Sequence, residues 1–383
     1  MIKSYPMVPL IEVIQPVERL ENVIAGKPYR QIGVRLWGEG AYERESIDGS
    51  QTMYQMLSRV ETDDIIVNKI WARNGSVAVV PSNLAGCYGS GEFPTFISNR
   101  SQLEPRWFHW LTKTKYFWKQ CDEKSQGTSG KNRIRPEQFL QIMLPLPPPE
   151  EQRRIVARIE EVAAKIEEAR GLHTAINSDI YRTLLSAYNT IIKGARRLPM
   201  KDVAPLERRS IEVKPEEEYF ELGIRSFGKG TFHKPAVTGA SLGTKRIFSI
   251  EEDDLLFNIV FAWEGAVAVA KPADHGRVGS HRFLTCVPKK GLATPLFLYF
   301  HFLTKEGLQQ LLDASPGSAG RNRTLGIKAL EEIQVPIPPF KEQLWFDSLQ
   351  ERFNLVRRCH VETSTELDAL LPSIIDKAFK GEL

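Results

Sequence analysis

Two short segments gather residue types that could hold phosphate or read base edges. Gly127-Thr128-Ser129-Gly130-Lys131-Asn132-Arg133 and Gly317-Ser318-Ala319-Gly320-Arg321-Asn322-Arg323 share their glycine spacing and their Asn-Arg ending, 190 residues apart. Glycine lets the backbone approach a ligand closely and adopt positive φ. Hydroxyls and backbone amides satisfy phosphate oxygens, while Lys and Arg neutralise the charge. Arg can also pair bidentately with guanine, and Asn with adenine. Taken once, such a segment reads as an exposed turn ending a strand; taken twice in register, it points to DNA contact. The candidate contacts are Thr128, Ser129, Lys131, Asn132 and Arg133 in the first segment, and Ser318, Arg321, Asn322 and Arg323 in the second.

These segments belong to a longer repeat. Tyr29–Gly40 (YRQIGVRLWGEG) answers Tyr219–Gly230 (YFELGIRSFGKG), and Asp63–Asn68 answers Asp253–Asn258, all at an offset of 190. Gly75, Gly89 and Pro105 answer Gly265, Gly279 and Pro295 in the same register. A duplicated unit says more about architecture than any single motif. Within the shared frame the polar side chains diverge. Lys69 and Arg73 stand where the second copy has Ile259 and Trp263, and Glu92 stands where it has Arg282, beside His281. Two readers of different sequences should differ in this way, so Lys69, Arg73, Trp263, His281 and Arg282 join the candidates.

Each copy opens with β-branched runs bounded by Gly, Asn or Pro (Ile32–Trp37, Ile65–Ile70, Val77–Val80), which predict strands. The aromatic segment 105–119 and its partner 295–312 predict one helix each, with the aromatics in the core. The proline clamps Pro145–Pro149 and Pro336–Pro339 predict stiff, extended exits lying outside the sheet. A helical pattern of about 40 residues follows each clamp. Ile155, Ile159, Val162, Ile166, Ala169, His173, Ile176 and Ile180 recur at alternating spacings of four and three. So do Phe346, Leu349, Phe353, Val356, His360, Thr363, Leu367, Leu370 and Ile374. Sustained 3-4 spacing is a coiled-coil seam, and the two helices are expected to pair antiparallel. A lone histidine on such a seam fixes register, and Pro372 should kink or interrupt the second helix.

Composition excludes several classes. The 383 residues allow two domains; net charge is +4 and four cysteines lie far apart, without zinc or disulfide spacing. No apolar run approaches the roughly 20 residues of a membrane span, and the N-terminus lacks the apolar core of a signal peptide. A cytoplasmic location is expected. No GxxxxGK[ST] loop, GxSxG elbow or HExxH pair occurs. The Asn/Asp-Pro-Pro-aromatic tetrapeptide of amino-methyltransferases is missing too, and Glu216-Glu217-Glu218 reads as a solvated face.

The order of β-rich unit, Gly-basic loop, proline clamp, Glu-Gln and long helix, seen in LPLPPPEEQRRIV and VPIPPFKEQ, closely resembles the specificity subunit of type I restriction-modification enzymes. The C-terminal KAFKGEL is similar to that family's usual ending. The resemblance implies an α+β fold. A target-recognition domain (1–149) leads to a spacer helix (150–193), then a second recognition domain (194–339) to a second helix (340–383). It implies that each domain reads one half of a split, asymmetric double-stranded DNA site. The helices would form an antiparallel coiled coil, set the spacer and dock two methyltransferase subunits, with restriction-translocation subunits joining through the complex. Glu151, Gln152, Ile155 and Ile159, and Glu342, Gln343, Phe346 and Leu349, are the docking and spacer candidates. The chain would itself be non-catalytic and hold no cofactor; S-adenosylmethionine, ATP and Mg would sit on partners. One departure is Phe340-Lys341 in place of Pro149-Glu150 after the second clamp. A type IIB system using the same kind of reader, a stand-alone nuclease or methyltransferase, and a two-lobed protein-binding scaffold are the alternatives.

Overall fold

The computed structural model describes residues 5–125, 132–317 and 323–383, the side chains of 360–362 excepted. The chain divides into two units, Met1–Leu172 with Val361–Leu383, and His173–His360. Each long helix therefore contributes one part to each unit.

In the first unit, strands β1 (Met7–Pro9), β2 (Ile14–Val17), β3 (Leu20–Asn22), β4 (Pro28–Val34), β5 (Ala41–Asp48) and β6 (Met56–Arg59) are followed by β7 (Ile65–Val67), β8 (Val77–Val79), β9 (Tyr88–Gly89), β10 (Thr95–Ser98) and β11 (Met143–Pro145). They form a five-stranded sheet, β3-β6-β9-β4-β5, a four-stranded sheet, β2-β10-β7-β8, and the pair β1-β11. Among the described residues of this unit only the β4–β9 pairing is parallel, at Gln31 and Tyr88. The second unit repeats this plan. Its five-stranded sheet holds Ser210–Ile211, Ile247–Ser249, Val278–Ser280, Glu218–Ile224 and Thr231–Thr238 in the corresponding order. Its parallel contact joins Glu221 to Val278, the residues 190 positions after Gln31 and Tyr88. The counterpart of β2 has shrunk to one bridge, Leu206 to Cys286.

The same buried ion pair braces both units. Arg19 grips the Asp64 carboxylate through both terminal nitrogens at 2.6 and 3.1 Å, and Arg209 grips Asp254 at 2.6 and 3.0 Å. Each aspartate also accepts a backbone N–H, from Glu61 or Glu251, across a turn whose Asp63 or Asp253 sits at positive φ. Bidentate geometry with an added amide donor offsets the cost of burying the carboxylate.

The aromatic segments fill the core as expected: Trp107, Phe108 and Phe117, and Phe297 and Phe302, are fully buried. Each segment is, however, two helices and not one: Pro105–Leu111 and Lys115–Lys124, then Pro295–Leu303 and Lys305–Asp313. Thr114 and Thr304 cap the second helix of each pair, their hydroxyls accepting from Phe117 N and Gly307 N. A threonine satisfies itself better at an N-cap than inside a helix, so the chain breaks there.

The clamps also differ from expectation. Pro145 and Pro336 lie inside two-stranded ladders, pairing with Met7 and Arg197. A two-stranded ribbon leaves one edge of each strand unpaired, and proline fits such an edge. The later prolines start the helices: Pro148 O accepts from Glu151 N and Gln152 N, and Pro339 O accepts from Glu342 N and Gln343 N.

The long helices run over Pro149–Ile191 and Phe340–Phe379, 43 and 40 residues. In the first unit Ile155 and Ile159 share a core cluster with Ile375 and Ala378. In the second, Ile180, Leu184 and Tyr188 share one with Phe346, Leu349 and Phe353. Within each unit the pairing is therefore antiparallel. The seam of the second helix departs from its expected course, for Val356 and Leu370 are 40% and 42% exposed while Leu371 packs inward. The helix also continues through Pro372 without a break. His173 is half-buried, and the His360 side chain lies outside the described residues.

One polar lock distinguishes the units. In the second, Tyr188 Oη lies 2.6 Å from His301 Nδ1, and His301 Nε2 lies 2.9 Å from Gln310 Oε1. The Gln310 amide nitrogen donates to Gln334 O, which leaves its oxygen to accept. Nε2 thus carries the proton and Nδ1 accepts from tyrosine. The corresponding residues of the first unit are Ile375 and Leu111, both buried and apolar. Burial pushes the His301 imidazole down to about 4. An unfolded histidine titrates near 6.5, so the unfolded chain binds the extra proton between those values and stability falls as pH drops from about 6.5 to about 4, by about 3 kcal/mol in all. Urea unfolding of the second unit should show that loss, and the double variant Y188I/H301L should lack it. A wild-type-minus-variant difference that is flat across that range would refute the lock.

Candidate nucleic-acid interface

The loops after β7 and after the strand Leu255–Asn258 are held by the same three main-chain bonds. Lys69 N donates to Glu92 O at 3.1 Å, Ile134 N donates to Lys69 O at 3.0 Å, and Asn68 N donates to Ser76 O at 3.0 Å. In the second unit Ile259 N donates to Arg282 O at 2.8 Å, Leu325 N to Ile259 O at 2.9 Å, and Asn258 N to Ala266 O at 3.0 Å. Asn68 and Asn258 each turn the chain by accepting, through Oδ1, from the amide two residues on. The backbone is constant and the side chains on it are not.

In the first unit this frame collects charge. Glu92 lies between Lys69 Nζ at 4.0 Å and Arg133 Nε at 3.3 Å. Asn132 is half-buried beside Arg133, and Arg73 stands 5.9 Å from the ring centre of the exposed Trp71. In the second unit Arg282 replaces the glutamate and is exposed, as is His281, whose carbonyl accepts from Arg208. Trp263 is half-buried and donates its indole N–H to Val260 O, while Phe261 is exposed. Arg323 reaches back to Ser315 O at 3.4 Å. Lys69, Glu92 and Arg133 thus meet at one place, whereas Arg323 takes a different course from Arg133. The cause is a one-residue step in the repeat: Ile134 corresponds to Leu325, 191 residues on, with Thr324 added after the loop. Thr128, Ser129, Lys131, Ser318, Arg321 and Asn322 lie outside the described residues.

The expected docking residues divide into two sets. Gln152 is fully buried: Oε1 accepts from Glu104 N at 2.8 Å, and Nε2 donates to Gln102 O at 2.7 Å and Pro147 O at 2.8 Å. Gln343 repeats the arrangement with Thr294 N at 3.1 Å, Leu292 O at 3.0 Å and Pro338 O at 2.9 Å. With Ile155, Ile159, Phe346 and the half-buried Leu349, these residues face their own unit. They anchor the helix to its own unit. Glu342 is exposed, and Glu151 is half-buried and pairs with Arg154.

Sequence reasoning missed the turn between β4 and β5 and its counterpart. Trp37 and Phe227 there stand at φ 56° and 61° and are 49% and 73% exposed. Their backbones join the loops just described, Trp37 N to Asn74 O and Phe227 N to Glu264 O. The available signal was an aromatic-glycine dipeptide recurring at the repeat offset.

Residues 26–178 match the family model described as type I restriction modification DNA specificity domain. A search of curated proteins by sequence finds no match. Among solved structures, the chain is similar to the HsdS subunit from Thermoanaerobacter tengcongensis, with 22% identity and a TM-score of 0.59 over 99% of this chain and 97% of that one. It is also similar to a chain from work on complex assembly and conformational transition of the type I R-M system, with 20% identity and a TM-score of 0.68 over 99% and 98%. At these identities the structures speak for the fold alone, and the family match is confined to residues 26–178. Residues 26–178 thus match a type I restriction-modification DNA specificity domain, and the repeat and the solved structures extend the same fold across both halves of the chain.

Proposed function

We propose that each unit reads one half of a split, asymmetric DNA site through the frame that holds Lys69 in one unit and Ile259 in the other. The observation carrying this reading is the pairing of identical main-chain bonds with unlike side chains: Lys69 against Ile259, Arg73 against Trp263, and Glu92 against Arg282. Phosphate contacts would position each unit while base-edge contacts from these loops specify the sequence. Asn132, Arg133, His281 and Arg323, with Thr128, Ser129, Lys131, Ser318, Arg321 and Asn322 of the two Gly-basic loops, complete the proposed surface.

The helices would set the separation of the half-sites and dock methyltransferase subunits, to which restriction-translocation subunits add. Exposed apolar residues support a protein partner there: Leu172 and Tyr181 on the first helix, and Leu344, Trp345 and Leu355 on the second. The two helix entries are unequal, because Leu344-Trp345 stand where the first helix has Arg153-Arg154. S-adenosylmethionine, ATP and Mg would be bound by those partners, in a cytoplasmic complex.

Glu92 holds two cations that would otherwise face phosphate. Replacing Glu92 by Gln should release Lys69 and Arg133, raise affinity for mixed duplex DNA, and steepen the salt dependence by about one to two counterions. A salt titration of the assembled complex checks this, and an unchanged slope would remove both cations from the DNA surface. Deleting four residues from each helix, close to one turn, should shorten the span by about 6 Å. That is roughly two base pairs of duplex rise. Modified sites mapped by long-read sequencing should then show a shorter spacer. A spacer of unchanged length would refute the ruler.

A further inference from the structure

The turn that carries Trp37 or Phe227 is over-determined. A bulky residue at positive φ is a genuine outlier, and glycine or asparagine would occupy the position at less cost. Both units nevertheless place an aromatic there and hold it by the same contacts. Trp37 N and Gly38 N donate to Asn74 O and Gly75 O at 2.7 and 3.0 Å, and Phe227 N and Gly228 N donate to Glu264 O and Gly265 O at 2.8 and 2.9 Å. The following carbonyl is fixed as well, though by different chemistry: Lys113 Nζ reaches Gly38 O at 2.8 Å, and Tyr299 Oη reaches Gly228 O at 2.8 Å. At Gly38 a Cβ would lie 2.5 Å from the backbone oxygen of Thr112, so glycine is required there; at Gly228 the nearest atom is a movable Leu303 methyl, and the positive φ of 62° is what favours glycine. The conformation is thus retained where the residues that enforce it have changed.

Core packing does not account for the ring. Trp37 touches Trp118 at 5.3 Å, yet half of it is exposed, and Phe227 is 73% exposed. Each turn has an arginine two residues before its aromatic, and Glu39 stands in the first turn where the second has Lys229. Arg35 lies over Tyr42 at 5.1 Å and Arg225 over Phe232 at 4.8 Å, while Lys229 Nζ stands 5.9 Å from the Phe227 ring. A rigid, exposed aromatic close in sequence to an arginine suits insertion at a base step flanked by phosphates.

We infer that Trp37 and Phe227 are wedges, each inserting its ring at one base step of the half-site its unit reads. The inference rests on the proposed reading of a split site and adds a specificity term to it. A wedge favours steps that unstack easily, such as TA and CA/TG, so these residues would select sequence at positions that no hydrogen bond touches.

The test uses the assembled modification complex and a duplex bearing its mapped site, with 2-aminopurine beside candidate steps in each half. The variants W37N and F227N keep a residue type that tolerates the left-handed conformation. Wild type should raise 2-aminopurine fluorescence in both halves. W37N should abolish the rise in one half only and F227N in the other. Each should weaken specific binding about tenfold to a hundredfold, in keeping with the loss of one stacked aromatic, and leave the salt slope unchanged. Melting temperatures should be equal to wild type or higher. A wild-type complex that prefers its site without any fluorescence change would overturn the wedge and leave sequence reading intact. Variants that keep the fluorescence, or that lose it in both halves together with melting temperature, would also overturn it. A wild-type complex showing no preference for the mapped site would overturn both.

Discussion

One buried glutamine in the first turn of each long helix ties the helix to its globular part. Gln152 and Gln343 each satisfy three main-chain groups: the amide that starts the aromatic helix, a carbonyl just before it, and a carbonyl of the proline clamp. A buried amide that meets three partners is favourable, and each partner left unmet would cost about 1–3 kcal/mol. Clamp, aromatic hairpin and helix are thereby fixed in one geometry, and the proline before the glutamine limits the directions in which the chain can enter the helix. The proposed spacer role depends on that joint, because a helix whose end swivels on its globular part could not set a spacing.

The proposed reading surface follows the same logic of fixed backbone and variable side chain. The Arg19–Asp64 and Arg209–Asp254 pairs, the positive-φ aspartates beside them and the Asn68 and Asn258 turns hold equivalent loops in equivalent places. Loops held by main-chain bonds can exchange side chains without refolding. That permits Lys69 and Glu92 to become Ile259 and Arg282, and it lets the apolar contact of Leu111 and Ile375 become the hydrogen-bonded chain of His301 and Tyr188. The cost of the second exchange is a histidine that must stay neutral.

Much of this was legible in the residues. The 190-residue offset appears unchanged in the strand pairing, because Gly, Asp and β-branched positions are dictated by the backbone they build. The proline clamps and the 3-4 seams were visible as patterns, but Pro145 and Pro336 pair in ladders and the second seam leaves its expected course at Val356 and Leu370. The breaks at Thr114 and Thr304 were not, since an apolar stripe continues across them and only the cap geometry favours stopping. Gln152 and Gln343 were grouped with Glu151 and Glu342 as docking and spacer candidates, because local pattern does not say which polar side chain in a first turn is buried. The divergence of Arg133 from Arg323 arises from the single added residue Thr324, which a register count spanning the loop passes over. Trp37 and Phe227 were hidden for a simpler reason: positive φ on an aromatic has no sequence signature beyond the glycine that follows.

Two equivalent units with unlike side chains should read two different half-sites. Long-read detection of modified bases in a host expressing the full system tests it most directly. The account predicts two short specified blocks of different sequence separated by an unspecified spacer of fixed length. A single contiguous site, or modification that does not depend on this chain, would contradict it.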